Sequence, residues 1–443
     1  MAEEMKVKII GRETIKPSSP IPSHLKIFNL SFFDQFDAAI YTSLVLFYSN
    51  NNVFMTSDQI SNHLKKSLSE ALTLFYPLAG RVKDNTVIEC QDDGAHFVEA
   101  KFSGLLSTFL DQPHKDEALI GRFLPAATES PEAGTWPLLL VQSTFFDCGG
   151  VAIGVCGSHK LVDAATLSIF LKTWAGNEVP DFEAASNYRS KDTFSFAPPA
   201  ALELKRVEGV AKRYVFDKSK IAALKAKFDS DSVKQPTRVE VVTAIISRCL
   251  MGAPRSTSAS FAAPVKPPRY SLLIQSVNLR KRVEPPFPEN SAGNLAWYFP
   301  LLVENDIYES STERLECELQ DLVAKLRQEI KDFTENEAKR FGGDNGLQVI
   351  VESFKKGKET FARFDDAHFF LFSSWCKFQF YEADLGFGKP IHVTIPSHSY
   401  GSLIYMMDTR DGDGVEVVLT LRKENMALFE NRLLEILSFA SSN

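Results

Sequence analysis

The chain is short of the features that most readily betray a function. Cysteine occurs only six times in 443 residues, at Cys90, Cys148, Cys156, Cys249, Cys317 and Cys376, with no CxxC pair and no zinc-type clustering. Free thiols in a reducing compartment are expected, and no metal. Positive charge is in deficit, with 49 Lys and Arg against 56 Asp and Glu and a formal net charge of -7. No basic block is long enough to grip nucleic acid or an anionic membrane. No apolar run reaches the length of a bilayer span, and the opening "MAEEMKVKIIGRETIKPSSP" lacks the apolar region of a signal peptide, so a cytoplasmic protein with no membrane partner is expected. Common catalytic signatures are missing too. There is no GxSxG elbow and no HExxH, and "DTRDGDGVE" lacks the ligand positions of a calcium loop. "DLGFGKP" ends like a phosphate loop, but Ala383 stands where Gly is required and Pro390 where Ser or Thr is required.

What is present is apolar and periodic. Residues of apolar type make up 44% of the chain, which at this length predicts two domains of roughly 200 residues each. Ile60, Leu64, Leu68, Leu72 and Phe75 recur at helical spacing, with Ser57 as N-cap and Pro77 as stop. "RVKDNTVIECQDDGAHFVEAKF" and "PLLLVQSTFFDCGGVAIGVCGSHK" read as strands of one sheet, broken at Asp-Gly and Gly-Gly turns. A polar stretch over 176–212 is the expected crossover between a first domain, 1–175, and a second, 213–443. In the second, Thr237 and Glu240 form a capping box before "VVTAIISRCLM", "STERLECELQDLVAKLRQEIKDF" is a long amphipathic helix, "GDGVEVVLTL" turns into a strand, and "ENMALFENRLLEILSFA" is a last helix. Strands and helices mix in both halves, which predicts an α/β class.

One short stretch bears on chemistry. In "GVCGSHKLVDAATLSIF" His159 follows an apparent strand, and Asp163 stands directly before an apparent helix. Histidine, with an ordinary pKa of about 6.5, is the side chain that takes and returns a proton near neutrality, and a strand end holds it firmly beside a loop. Asp163 is placed to cap the helix or to join a buried ion pair. A metal half-site short of further ligands, and a core histidine with no function, remain alternatives on this motif alone. Cys156, inside an apolar run, reads as packed and not as a nucleophile.

Taken together, "SHKLVD" and the later "DLGFGKP" resemble the HxxxD and DFGWG motifs of the plant BAHD acyl-CoA-dependent acyltransferases. The likeness continues through "SFFDQ", "YPLAGR", "DCGGVAIGV", "SVNLRKR", "SAGNLAW" and "MDTRDGDGVEV", and so covers essentially the whole chain. It is nearest to the vinorine-synthase-like and capsaicin-synthase-like branch. The resemblance implies two similar domains of mixed β-sheet flanked by helices, a chloramphenicol-acetyltransferase-like fold, with an active-site tunnel at their interface.

By the same resemblance His159 is the general base for attack of an acceptor on an acyl-CoA thioester, without a covalent acyl-enzyme. Asp163 and Arg280 are structural at the site, paired with each other. Ser373 and Trp375 belong to the oxyanion and acceptor pocket, and Asp384, Gly386 and Gly388 shape a structural loop in the second domain. That loop departs from the family pattern, with Leu385 for Phe and Phe387 for Trp, both apolar fillers. Acyl-CoA is implied as a cosubstrate, with no cofactor held permanently and a small-molecule alcohol or amine as acceptor, most simply an alcohol acetylated by a monomeric enzyme. No CoA-binding residue is legible; Lys281 and Arg282 are consecutive cations of the kind that usually forms a solvated face. Two rivals stay open. A peptide-synthetase condensation domain would carry a second histidine where Ser158 stands, and a retired acyltransferase would keep the pocket as a binding site.

Overall fold

Most of the expected strands and helices form in the computed structural model, which describes residues 6–49, 55–111, 117–183, 188, 206–251, 269–305, 312–343 and 345–441. Two compact units divide the chain. The first comprises Met1–Pro198, Phe287–Ala296 and Phe378–Ser397, and the second Pro199–Pro286, Trp297–Lys377 and His398–Asn443. This differs from a division into two consecutive domains. The Asp384–Gly388 motif, expected in the second, lies in the first because His392–Thr394 joins that unit's sheet, antiparallel to Tyr41–Tyr48. Of the expected crossover, residues 184–187 and 189–205 lie outside the described residues, and the strand Val210–Phe216 already begins before 212.

The first unit is built on a six-stranded mixed sheet in the order Val7–Ile15, Ala95–Phe102, Leu139–Phe146, Val151–Ser158, Tyr41–Tyr48, His392–Thr394. Ala95–Phe102 and Leu139–Phe146 run parallel and the other neighbours antiparallel. Its three central strands, Leu139–Phe146, Val151–Ser158 and Tyr41–Tyr48, are buried along their whole length, as near-continuous apolar runs require of strands covered on both faces. Phe47, Phe102, Phe109, Phe123 and Phe146 form one aromatic core, with ring centroids about 5 to 6.5 Å apart, which accounts for part of the phenylalanine-rich composition. The helix Ser57–Leu74 buries Ile60, Leu64, Leu68 and Leu72 as its spacing predicts. Its cap is Thr56 and not Ser57, since the Thr56 hydroxyl accepts from the Gln59 amide while Gln59 answers the Thr56 amide.

The second unit has its own six-stranded mixed sheet, in the order Ala296–Glu304, Tyr270–Asn278, His368–Ser374, Leu403–Asp408, Val415–Leu421, Val210–Phe216. Tyr270–Asn278, His368–Ser374 and Leu403–Asp408 are parallel neighbours, and the last two pairs are antiparallel. The expected capping box is present, with Thr237 and Glu240 opening the helix Arg238–Leu250. That helix packs with Lys218–Phe228, Thr312–Phe333 and Lys423–Ser441 over a core of Val241, Ile245, Leu322, Phe372, Val417 and Phe429. Among the described residues no helix is long and apolar enough to cross a membrane, and all six cysteines are free thiols.

Candidate active site

His159 stands one residue beyond the strand Val151–Ser158. Ser158 lies opposite Tyr41 in the antiparallel pair, and the His159 amide extends the ladder by donating to the Ile40 carbonyl at 2.8 Å. This register brings the segment just before Tyr41 to the strand end that carries His159. There the short helix Phe32–Phe36 is opened by a capping box of Ser31 and Asp34 and closed by Asp37, whose amide donates to the Phe33 carbonyl.

Asp37 Oδ2 lies 3.5 Å from His159 Nδ1, with the two side chains only 14% and 23% exposed. Nδ1 makes no hydrogen bond of standard geometry among the described residues, so this contact is one of ion-pair range. Asn294 ties the same elements together. Its side-chain amide donates to the His159 carbonyl at 2.6 Å and to Asp34 Oδ1 at 3.1 Å, while its backbone amide donates to that oxygen at 2.9 Å. Lys160, itself buried, sends its ammonium to the carbonyls of Gln35, at 3.3 Å, and Asp37.

The electrostatics follow from this packing. Burial favours the neutral imidazole of His159, but the carboxylates of Asp37, and behind it Asp163, outweigh it and lift the pKa to about 9. Burial lifts Asp34 to about 6 against its hydrogen bonds, and lowers Lys160 despite the nearby carboxylates of Asp37 and Asp34. Cys156 is fully buried, with its thiol pushed up to about 12 by burial, as the packed reading expects.

Asp163 is architectural within this unit. One carboxylate oxygen accepts from the Thr166 amide at 2.7 Å, capping the helix Ala164–Trp174, and the other accepts from the Leu295 amide at 3.1 Å. Thr166 Oγ1 donates to the Gly293 carbonyl at 2.8 Å, so the segment 293–295 is fastened to both the histidine turn and the helix start. Ser158, where a condensation domain would carry histidine, is buried and donates to the Ala133 carbonyl.

The Asp384–Gly388 loop is a closed turn. Asp384 Oδ1 accepts from the amides of Gly386 and Gly388, each at 2.9 Å, and both glycines have positive φ, +96° and +100°. A Cβ on Gly386 would lie 2.3 Å from His63 Nε2, which donates to the Leu385 carbonyl at 2.9 Å; a Cβ on Gly388 would meet open space. Leu385 and Phe387 are both buried, the latter edge-on to Tyr48 at 4.9 Å. The two departures from the family pattern therefore fill the interior as apolar residues should.

Arg280, Ser373 and Trp375 belong to the second unit. Ser373 lies near the end of the strand His368–Ser374, half-buried, and accepts the Trp375 indole N–H at 3.2 Å. Trp375 is buried, its ring edge-on to Tyr405 at 5.4 Å and its amide donating to the Met406 carbonyl at 2.7 Å. Arg280 is buried, with its amide and one Nη on Asn278 Oδ1 at 3.0 and 3.3 Å. Of the two candidate surface cations Lys281 is exposed, whereas Arg282 is half-buried and donates to the Asn278 carbonyl at 2.7 Å.

Sequence reasoning gave no role to Asp34, Asp37, Lys160 or Asn294. Asp34 and Asn294 lie in stretches quoted above for their family likeness, "SFFDQ" and "SAGNLAW", which offered a signal without a function. Asp37 lies two residues past the first of them and had no signal, because its nearness to His159 is created by strand register.

Comparison with known proteins identifies the family. The family profile described as Transferase family matches residues 5–435. Salutaridinol 7-O-acetyltransferase of Papaver somniferum is 34% identical over 97% of this chain and 98% of its own. Limonoid 21-O-acetyltransferase of Melia azedarach is 34% identical over 99% of each. Among solved structures, vinorine synthase superposes with a TM-score of 0.80 at 32% identity, covering 97% of this chain and 98% of its own.

Proposed function

The chain belongs to the plant BAHD acyl-CoA-dependent acyltransferases, and on that premise we propose that it moves an acyl group, most simply acetyl, from acyl-CoA to a hydroxyl of a plant specialised metabolite. An alkaloid, terpenoid or phenolic alcohol is the acceptor class. The names of its relatives, a salutaridinol 7-O-acetyltransferase and a limonoid 21-O-acetyltransferase, support that reading. The observation that carries it is His159 at a strand end, with its backbone fixed on both sides and its Nδ1 directed at a carboxylate.

In this mechanism His159 Nε2 takes the proton of the acceptor hydroxyl as its oxygen attacks the thioester carbonyl carbon. The tetrahedral intermediate collapses by breaking the C–S bond, and the CoA thiolate recovers the proton from the imidazolium. The Asp37 carboxylate beside Nδ1 stabilises the imidazolium that exists between the two proton transfers. Ser373 supplies the hydroxyl donor to the oxyanion, held in place by the indole N–H of Trp375. Asp163, Arg280 and the Asp384 turn keep the frame. We read the protein as a cytoplasmic monomer that keeps no permanent cofactor and meets acyl-CoA as a cosubstrate.

The test is incubation of the purified protein with acetyl-, malonyl-, benzoyl- and coumaroyl-CoA against a panel of plant alcohols and amines, read by mass spectrometry beside His159→Ala. An ester formed by the parent alone supports the proposal. An amide redirects it to N-acylation, and acyl-CoA binding without product from any acceptor favours the retired enzyme.

A further inference from the structure

We propose that Asp37 is a positioning residue for the proposed base, holding the His159 imidazole through Nδ1 so that Nε2 is the nitrogen left to exchange a proton with substrate. The inference rests on the reading of His159 as base and adds a residue to which no motif points.

Three observations carry it. His159 Nδ1 is buried, and the carboxylate that faces it is Asp37, whose Oδ2 lies 3.5 Å away, with the backbone carbonyl of His159 itself a further, smaller influence on the ring. That separation is at the long limit for a hydrogen bond, as catalytic contacts often are before substrate arrives, and within range for an ion pair. Asp37 is also held from three directions. Its amide bonds the Phe33 carbonyl, its own carbonyl takes the Lys160 ammonium, and the helix it ends is fixed by Asp34 to Asn294, which in turn holds the His159 carbonyl. Finally, the carboxylate is only 14% exposed, so solvent screens its effect on the ring weakly.

The charged groups facing His159 from the elements of this unit are Asp37 at the end of Phe32–Phe36, Asp163 at the start of Ala164–Trp174, and the adjoining Lys160 and Asp34. Asp163 has both oxygens on backbone amides, whereas the Asp37 carboxylate is the one directed at the ring. Asp37 is accordingly the larger of the two carboxylate influences that bring His159 to about 9, and beside the smaller pull of the residue's own carbonyl it favours the tautomer with the proton on Nδ1.

The experiment is an NMR pH titration of histidine-labelled protein, with His159→Gln assigning the resonance and circular dichroism checking the fold of each variant. The parent His159 should titrate near 9 and, above that, show the Nδ1–H tautomer. Asp37→Asn should lower the titration by about 1 to 2 pH units, the shift expected for loss of an opposite charge at this distance, and Asp37→Glu should recover part of it. An unmoved titration in folded Asp37→Asn, or a parent His159 that titrates at or below 6.5, overturns the proposal; the second outcome decides even if the variant does not fold. Failure of the base itself reads differently. In that case His159→Ala keeps its turnover while the titration still responds to Asp37.

Discussion

Two strand ends, one in each unit, carry candidate groups by different physical means. Val151–Ser158 ends in a cluster of ionisable groups in which the Asp37 carboxylate bears on the protonation of His159, Asp34 and Lys160. His368–Ser374 ends in a neutral hydroxyl accepting from an indole, Ser373 and Trp375. Both ends sit on six-stranded mixed sheets. The sheet supplies rigidity in either case, and the residues at the strand end decide whether the product of that rigidity is a tuned proton acceptor or an oriented dipole.

The sharpest way to break the comparison is at the base. His159→Ala should lower kcat by about 10²- to 10⁴-fold, the usual worth of a general base, while acetyl-CoA still raises the melting temperature. Ser373→Ala should cost roughly 10²-fold in kcat and leave the pH dependence of the remaining activity where it was, because a neutral donor sets no protonation state. If the pH profile moves with Ser373, the division of labour between the two ends is wrong.

Stability gives a second contrast. Folding raises the His159 pKa from 6.5 to about 9, so the folded state holds that proton more tightly than the unfolded chain. The stabilisation is complete below about 6.5 and is lost as the pH rises through about 9. The urea midpoint of the parent should therefore fall across that window, and that of His159→Gln should be flatter. A parent curve that rises there contradicts the carboxylate-dominated site.

The smallest expected effects lie in the Asp384 turn. Gly386→Ala should cost about 3 kcal/mol, since it combines an unfavourable φ with a collision against His63, whereas Gly388→Ala meets only the backbone strain of about 1 kcal/mol. Equal losses in urea melts of the two variants would show that the packing of His63 against the loop carries no weight.

The architecture was legible wherever local chemistry repeats. Thr237 and Glu240 announce their helix because both halves of a capping box are three residues apart, and the apolar spacing from Ile60 to Leu72 marks a buried face. Asp163 as an N-cap was readable for the same reason, its partner Thr166 being local. The Leu295 amide on its other oxygen was not, lying 132 residues away. The return of residues 378–397 to the first unit was hidden as well, since a three-residue edge strand such as His392–Thr394 has no pattern long enough to reveal which sheet it joins.

By itself, then, the sequence determined the class of fold, the positions of the principal caps and, through two motifs in order, the family and its histidine. Only the tertiary structure decided what surrounds that histidine. Asp37 stands 122 positions before His159, and nothing short-range relates them. They meet because Tyr41 pairs with Ser158 in one register of an antiparallel strand pair, within a mixed sheet whose central strands are buried throughout. A slip of one residue would turn every side chain of the strand to the opposite face, so the core that fixes the register also fixes which carboxylate faces His159.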